Sequence, residues 1–218
     1  MKEKSRQFLV LGLGRFGESV AKSLCQLGHE VLAVDADAEL VEGIAPYVTQ
    51  AMQLDATDES ALQSLGVRNF DAAVVSIGQN MRDSILVCVL LKELGVPNLI
   101  AKATDELHAK VLRKVGVDRV IFPERDMGMR LAKSLVTPNV LEMIDLSDDY
   151  QLVEVRAPSK WVGNTIKGVD VRRRYGISIL AVHRGGQFMV SPGADVAFET
   201  GDVLLVLGKK EDLDNLDK

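Results

Sequence analysis

From residue 8 to residue 123, short strand-like runs, most of them apolar, alternate with segments whose apolar residues recur every three or four positions. The runs are FLVLGL (8–13), EVLAVD (30–35), VTQAMQLD (48–55), AAVVSIG (72–78), LIAKA (99–103) and RVIFP (119–123). Runs that are apolar at successive positions predict strands covered on both faces. After the first run, Phe16, Val20, Leu24 and Leu27 repeat at helical spacing until Gly28. A short helix is predicted over Ala38–Ala45, stopped by Pro46. Others are predicted over DESALQSLG (58–66), NMRDSILVCVLLKELG (80–95) and DELHAKVLRKVG (105–116), with Asp58 and Asp105 as caps. Strands and helices that alternate over short links predict a parallel sheet. Six strands in this span predict the two-half Rossmann arrangement, an α/β fold with a six-stranded, doubly wound parallel sheet.

The pattern then changes. ERDMGMRLAKSLVT (124–137) predicts a helix with Met127, Leu131, Ala132 and Leu135 on one side, closed before Pro138. NVLEMIDLSDDY (139–150) is mixed and polar, and no element is assigned to it. The domain boundary is placed there, giving domains 1–138 and 139–218. Beyond it the predicted strands are short: QLVEVRAP (151–158), ISILAVHRGG (177–186), QFMVSP (187–192) and DVLLVLGK (202–209). HRGGQF reads as a hairpin turn. Helices are expected near GVDVRRRYG (168–176) and KEDLDNLDK (210–218). The second part is therefore a small α+β domain.

Composition narrows the function. The chain has 218 residues, 47% of them hydrophobic and 26% charged, which suits a packed globular core. Its net charge of −5 argues against a nucleic-acid partner. No apolar run approaches the length of a membrane span, and the start shows no signal-peptide pattern. Cys25 and Cys88 lie far apart in apolar helical patterns and read as reduced packing residues of a cytoplasmic protein.

The candidate chemistry sits at the first strand–helix junction. Gly12, Gly14 and Gly17 form G-x-G-x-x-G, and Asp35 follows at the end of the second strand. Gly12 permits a tight turn, Gly14 lets backbone approach phosphate, and Gly17 lets helix and strand pack closely. The helix start, including Phe16, offers backbone N–H groups to an anion. Asp35, with Asp37 beside it, would accept hydrogen bonds from ribose hydroxyls and repel a 2′-phosphate. The bland alternative is a turn that only connects strand to helix. Arg15 opposes the helix dipole in the first turn. It is either a solvated surface arginine or a forked donor to terminal phosphates. Asp55, Ala56 and Thr57 follow the third strand, where an adenine would lie, although Asp55 also reads as a helix cap. Ser76, Ile77, Gly78 and Asn80 follow the fourth strand on the phosphate side. Lys102 ends the fifth, either reaching phosphate or solvated.

A dehydrogenase would need a proton-transfer group and a substrate pocket. His29 and His108 are expected away from the crevice, and His183 belongs to the second domain. Tyr47, Tyr150 and Tyr175 lack a lysine four residues later, and no H-E-x-x-H, C-x-x-C or G-x-S-x-G occurs. Nucleotide binding is predicted without attached catalysis; an NAD(H)-sensing or NAD-linked oxidoreductase module is the alternative.

The ordered motifs GLGRFG, VLAVDAD, LDATD, VVSIGQN, IAKA, VDRVIFPERDMG and VGNTIKGVDVRRRYGISILAVHRGG resemble the RCK (KTN) proteins, cytosolic regulatory subunits of Trk and Ktr potassium transporters. The resemblance spans essentially the whole chain. It implies an N-terminal RCK domain, a C-terminal TrkA-C-like domain, and dimers that build an octameric ring beneath a membrane-embedded Trk or Ktr pore subunit. It also implies peripheral attachment to the inner face of the cell membrane. ATP or ADP, and in some members NAD(H), would occupy the first domain, with Arg15 on the γ-phosphate and Asp35 on ribose. Glu124 would help hold Mg2+ or another cation; its local alternative is a first-turn acid that suits the helix dipole. Cyclic di-AMP would bind the second domain near Asn164, Arg173, Ile177 and His183, although Arg172–Arg174 also read as a solvated helix face.

Overall fold

A computed structural model describes residues 5–78, 80–136, 140–213 and 216. The chain divides into two compact units, Met1–Arg125 and Asp126–Lys218. The boundary expected between residues 138 and 139 lies outside the described residues.

In the first unit, β1 (Gln7–Leu11), α1 (Arg15–Gln26), β2 (Glu30–Asp35), α2 (Ala38–Ile44) and β3 (Gln50–Gln53) form one half. The other half comprises α3 (Glu59–Ser64), β4 (Ala72–Val75), α4 (Met81–Glu93), β5 (Leu99–Lys102), α5 (Glu106–Lys114) and β6 (Arg119–Ile121). All six strands are parallel, in the order β3-β2-β1-β4-β5-β6. This is the sheet predicted from the alternating pattern. Successive residues of β1 face opposite sides, so both sides are apolar. Leu9 and Leu11 enter a core with Val75, Leu91 and Leu99. Val10 enters the opposite core with Ala21, Val31 and Ile44. Each fully buried Val, Leu or Ile side chain among these contributes about 1.5–3 kcal/mol.

Short acidic and amide side chains set where the helices begin. Asp37 accepts from the Glu39 N–H, Asp58 from those of Ser60 and Ala61, Asn80 from those of Arg82 and Asp83, and Asp105 from that of His108. The expected caps Asp58 and Asp105 are therefore present. Asp55 is not the cap of α3. Its carboxylate turns onto Thr57 instead, accepting from the backbone N–H at 2.9 Å and the hydroxyl at 2.7 Å.

Helix α6 (Pro123–Val136) follows, crossing from one unit to the next. In the second unit come β7 (Val140–Asp145), β8 (Tyr150–Arg156), α7 (Ile166–Val169), α8 (Val171–Tyr175), β9 (Ser178–Arg184), β10 (Gln187–Val190), β11 (Val203–Lys209) and α9 (Lys210–Leu213). They make an antiparallel sheet in the order β10-β9-β11-β8-β7. Two expectations need correction. The segment 139–150, left without an element, contains the edge strand β7. Its turn is drawn by Ser147, whose hydroxyl accepts from the N–H groups of Asp149 and Tyr150. The helix expected over 168–176 is two short helices, because Asp170 adopts φ +55° and breaks the run. The predicted hairpin is present: Arg184 pairs with Gln187 across Gly185 and Gly186, both at positive φ. Trp161, Phe198, Ile177 and Leu204 fill this unit's core. Asp202, only 1% exposed, is bound by the Arg184 guanidinium through two bonds of 2.7 Å.

Candidate nucleotide site

The sheet's order reverses between β1 and β4, so the loops leaving their carboxyl ends part and leave a crevice. The opening is about 360 Å³ and is lined by Gly12, Gly14, Asp35, Asp37, Asp55, Ala56, Thr57, Ile77, Gly78 and Asn80, among others. Most of the site predicted from sequence is thereby brought to one place.

The three glycines have separate jobs. Gly12 has φ +90°, and an added Cβ would lie 3.0 Å from the Ser76 carbonyl carbon. The turn thus presses against the end of β4. An added Cβ on Gly17 would lie 1.9 Å from the Gly12 carbonyl oxygen, so only glycine lets α1 pack here. A Cβ on Gly14 would meet nothing within 4 Å. Gly14 is also the N-cap of α1 and supplies no side-chain cap. The amides that open a helix have no intrahelical acceptor. Here they begin at the edge of an open cradle, with the partial positive charge of a 12-residue helix behind them. Phe16 turns its ring into the core beneath, leaving its backbone for the site.

Asp35 ends β2, where it does more than the sequence indicates. Its carboxylate accepts from the Leu13 N–H at 2.6 Å and the Asp37 N–H at 2.9 Å. It therefore ties the glycine turn to the adjacent loop, with further lone pairs left for hydroxyl donors. The Thr57 hydroxyl and N–H hold the Asp55 carboxyl below its ordinary pKa. The loop after β3 thus carries a carboxylate held in place by Thr57.

Lys102 and Glu124, predicted separately, are joined. Lys102 Nζ lies 2.5 Å from Glu124 Oε1. The Lys102 ammonium holds the Glu124 carboxyl below its ordinary pKa, with a smaller contribution from the charge of Arg15. Arg15 is exposed at the helix start, within electrostatic reach of this pair. The cationic end of the site is therefore a triad with one carboxylate. Among the described residues no group of three or more His, Cys, Asp or Glu is placed to hold a metal ion. Glu124 would be a single protein ligand.

Sequence reasoning missed the apolar walls, Leu40 on α2 and Leu54 after β3, and also Asp83. Asp83 had a legible signal. It stands three residues after Asn80, the spacing of a capping box, and accepts from Asn80 Nδ2 at 2.7 Å. The histidines lie where expected. His108 is wholly buried on α5, and burial pushes its pKa down. His29 tilts against Phe8 at the opposite, amino end of the sheet.

The second-unit candidates occupy separate elements. Asn164 is exposed in the turn before α7, Arg173 is exposed on α8, and His183 on β9 stacks on Phe188 at 4.3 Å. Ile177 is fully buried in the core of this unit.

The open cradle at Gly14, the carboxylate at the end of β2 and the cations at the far end fit a nucleotide. Comparison with known proteins adds the lineage. The family model described as TrkA-N domain matches residues 8–123, and that described as TrkA-C domain matches residues 150–218. The chain belongs to the TrkA-N/TrkA-C family. This is the RCK family that the sequence motifs resemble. Among its relatives, the Ktr system potassium uptake protein A of Bacillus subtilis is 47% identical, over 96% of this chain and 95% of that protein. The Ktr system potassium uptake protein C of the same organism is 44% identical, over 98% and 96%. A solved GsuK channel bound to NAD shares the fold, with a TM-score of 0.65 and 19% identity. That alignment takes in all of this RCK chain, which spans 40% of the channel chain.

Proposed function

We propose that the chain is a cytoplasmic, non-catalytic regulatory subunit of a potassium-uptake system, switched by an adenosine nucleotide held at the start of α1. The near-full-length similarity to two potassium-uptake proteins supports the assignment to that system. No helix among the described residues is long and apolar enough to cross a membrane. In this reading the pore is a separate, membrane-embedded partner of the Trk or Ktr kind, and the chain attaches to the inner membrane face through it.

The observation that carries the nucleotide is the pairing of an uncapped helix start at Gly14 with Asp35 across the same crevice. A diphosphate fits the amide end and a free ribose fits the carboxylate. ATP and ADP differ by one phosphate, and only a ligand that binds two states unequally shifts an equilibrium. Arg15 supplies that inequality by meeting the γ-phosphate. Glu124 assists through Mg2+ or another cation, the remaining ligands being phosphate oxygens. NAD(H) shares the adenosine and pyrophosphate and is the competing ligand.

The chain acts as a homo-oligomer, a dimer that assembles into an octameric ring. Supporting this, α6 leaves Met127, Leu131 and Leu135, four residues apart on one face, between 58% and 74% exposed, a face that a second copy would cover. Cyclic di-AMP is the proposed second ligand, taken by Asn164, Arg173 and His183 of the second unit.

The test is calorimetric titration with ATP, ADP, NAD and NADH, repeated on Arg15→Ala. ATP affinity falls about tenfold, as expected for a lost charged phosphate contact, and ADP affinity falls less. Equal losses for both nucleotides remove Arg15 from the γ-phosphate. NADH binding in preference to ATP and ADP identifies the chain as an NAD(H) sensor instead.

A further inference from the structure

We infer that Lys102 exchanges partners on nucleotide binding, leaving Glu124 for the phosphates, so that carboxylate and ligand compete for one ammonium. The inference rests on nucleotide binding in the crevice described above. It assigns to Glu124 an inhibitory part in the free protein.

Lys102 is the last residue of β5, and its side chain is 15% exposed, whereas that of Glu124 is 70% exposed. The lysine stem is therefore anchored while the carboxylate faces solvent. An added Cβ on Gly78 would lie 3.7 Å from Lys102 Nζ. Gly78 itself lines the crevice. One ammonium thus stands between the crevice wall and Glu124. A lysine ammonium is a compact charge with three donors on a flexible stem. It turns from one acceptor to another without moving its backbone.

The charges favour the exchange. A half-exposed lysine–carboxylate pair is a weak interaction. A diphosphate brings more negative charge than one carboxylate and so attracts the ammonium more strongly at the same distance. Arg15 contributes to holding Glu124 ionised, so the carboxylate keeps a cation nearby after Lys102 leaves. Direct repulsion between Glu124 and phosphate would also oppose binding. Only the exchange makes that opposition depend on Lys102.

The experiment is titration calorimetry with ADP in chelator-containing buffer, on the full chain and on Glu124→Gln, Lys102→Met and the double variant. Lys102→Met keeps the buried stem, and melting curves check that each variant folds. Glu124→Gln is expected to bind ADP about fivefold more tightly, the worth of a half-exposed ion pair. Lys102→Met is expected to bind about tenfold more weakly, as for a lost charge-assisted phosphate contact. In the Lys102→Met background, Glu124→Gln adds no further gain. A gain of the same size in both backgrounds overturns the exchange in favour of simple repulsion. No gain in either background overturns it as well, and nucleotide binding by the parent chain then still stands. Absence of ADP binding by the parent chain overturns both.

Discussion

The two units use polar side chains in opposite ways. In the first, apolar residues fill both faces of the sheet, and its acidic and amide side chains gather where strands end and helices begin. Asp35, Asp37, Asp55 and Asn80 organise backbone around an opening. In the second, the polar anchors close the structure on itself. Arg184 reaches Asp202, Glu199 and the Ala197 carbonyl at once. Gln151, 5% exposed, donates to Asp145 at 2.7 Å. A charged group that faces a crevice is available to a ligand; one saturated by neighbours holds a fold.

This contrast is sharpest when one anchor in each unit is removed. Asp202→Ala leaves the Arg184 guanidinium facing a buried gap. Loss of one partner of a buried pair costs about 3–5 kcal/mol, and this arginine, 31% exposed, places the expected loss near 3. Thermal melts should show the second unit failing first, with ADP binding to the first unit retained. The Asp202 carboxyl is held below its ordinary pKa chiefly by Arg184. Its contribution is therefore complete above about pH 4 and lost as pH falls further. A full-strength second unit in Asp202→Ala would show that the pair is not structural.

Gly17→Ala is the counterpart in the first unit. Its Cβ meets the Gly12 carbonyl, and overpacking of this kind costs about 1–3 kcal/mol. The displaced turn also moves Gly14, so nucleotide affinity falls with stability while the second unit melts as before. Unchanged ADP affinity would separate the turn from the site.

The smallest effect is a pH slope. His108 is buried, its Nδ1 accepts from the Thr104 N–H at 3.3 Å, and burial lowers its pKa. The unfolded chain takes up that proton first, so stability falls as pH drops below about 6.5, by at most about 1.4 kcal/mol per pH unit. His108→Asn keeps an acceptor and should flatten this slope. A slope unaltered in the variant would assign it to another group.

The same contrast explains what the sequence makes legible. Doubly covered strands such as β1 and β4 need apolar residues at successive positions, so they stand out as runs. The edge strand β7 has no such requirement. In it Ile144 and Asp145 are both exposed, so it reads as polar linker. Within the site, the glycines and Asp35 are legible because backbone geometry restricts the residue type. The Lys102–Glu124 pair is not, since 22 residues separate partners that only the order of β5 and β6 makes neighbours. Ile177 is the reverse case: a residue expected at a ligand has its side chain fully buried in the second unit's core.

The central claim is that phosphates dock where α1 begins, and a crystal structure of the ADP complex tests it most directly. The account predicts the diphosphate against the amides that follow Gly14, the ribose on Asp35, and Lys102 turned from Glu124 toward phosphate. Phosphates bound elsewhere on the chain, with the Gly14 cradle empty, would contradict it.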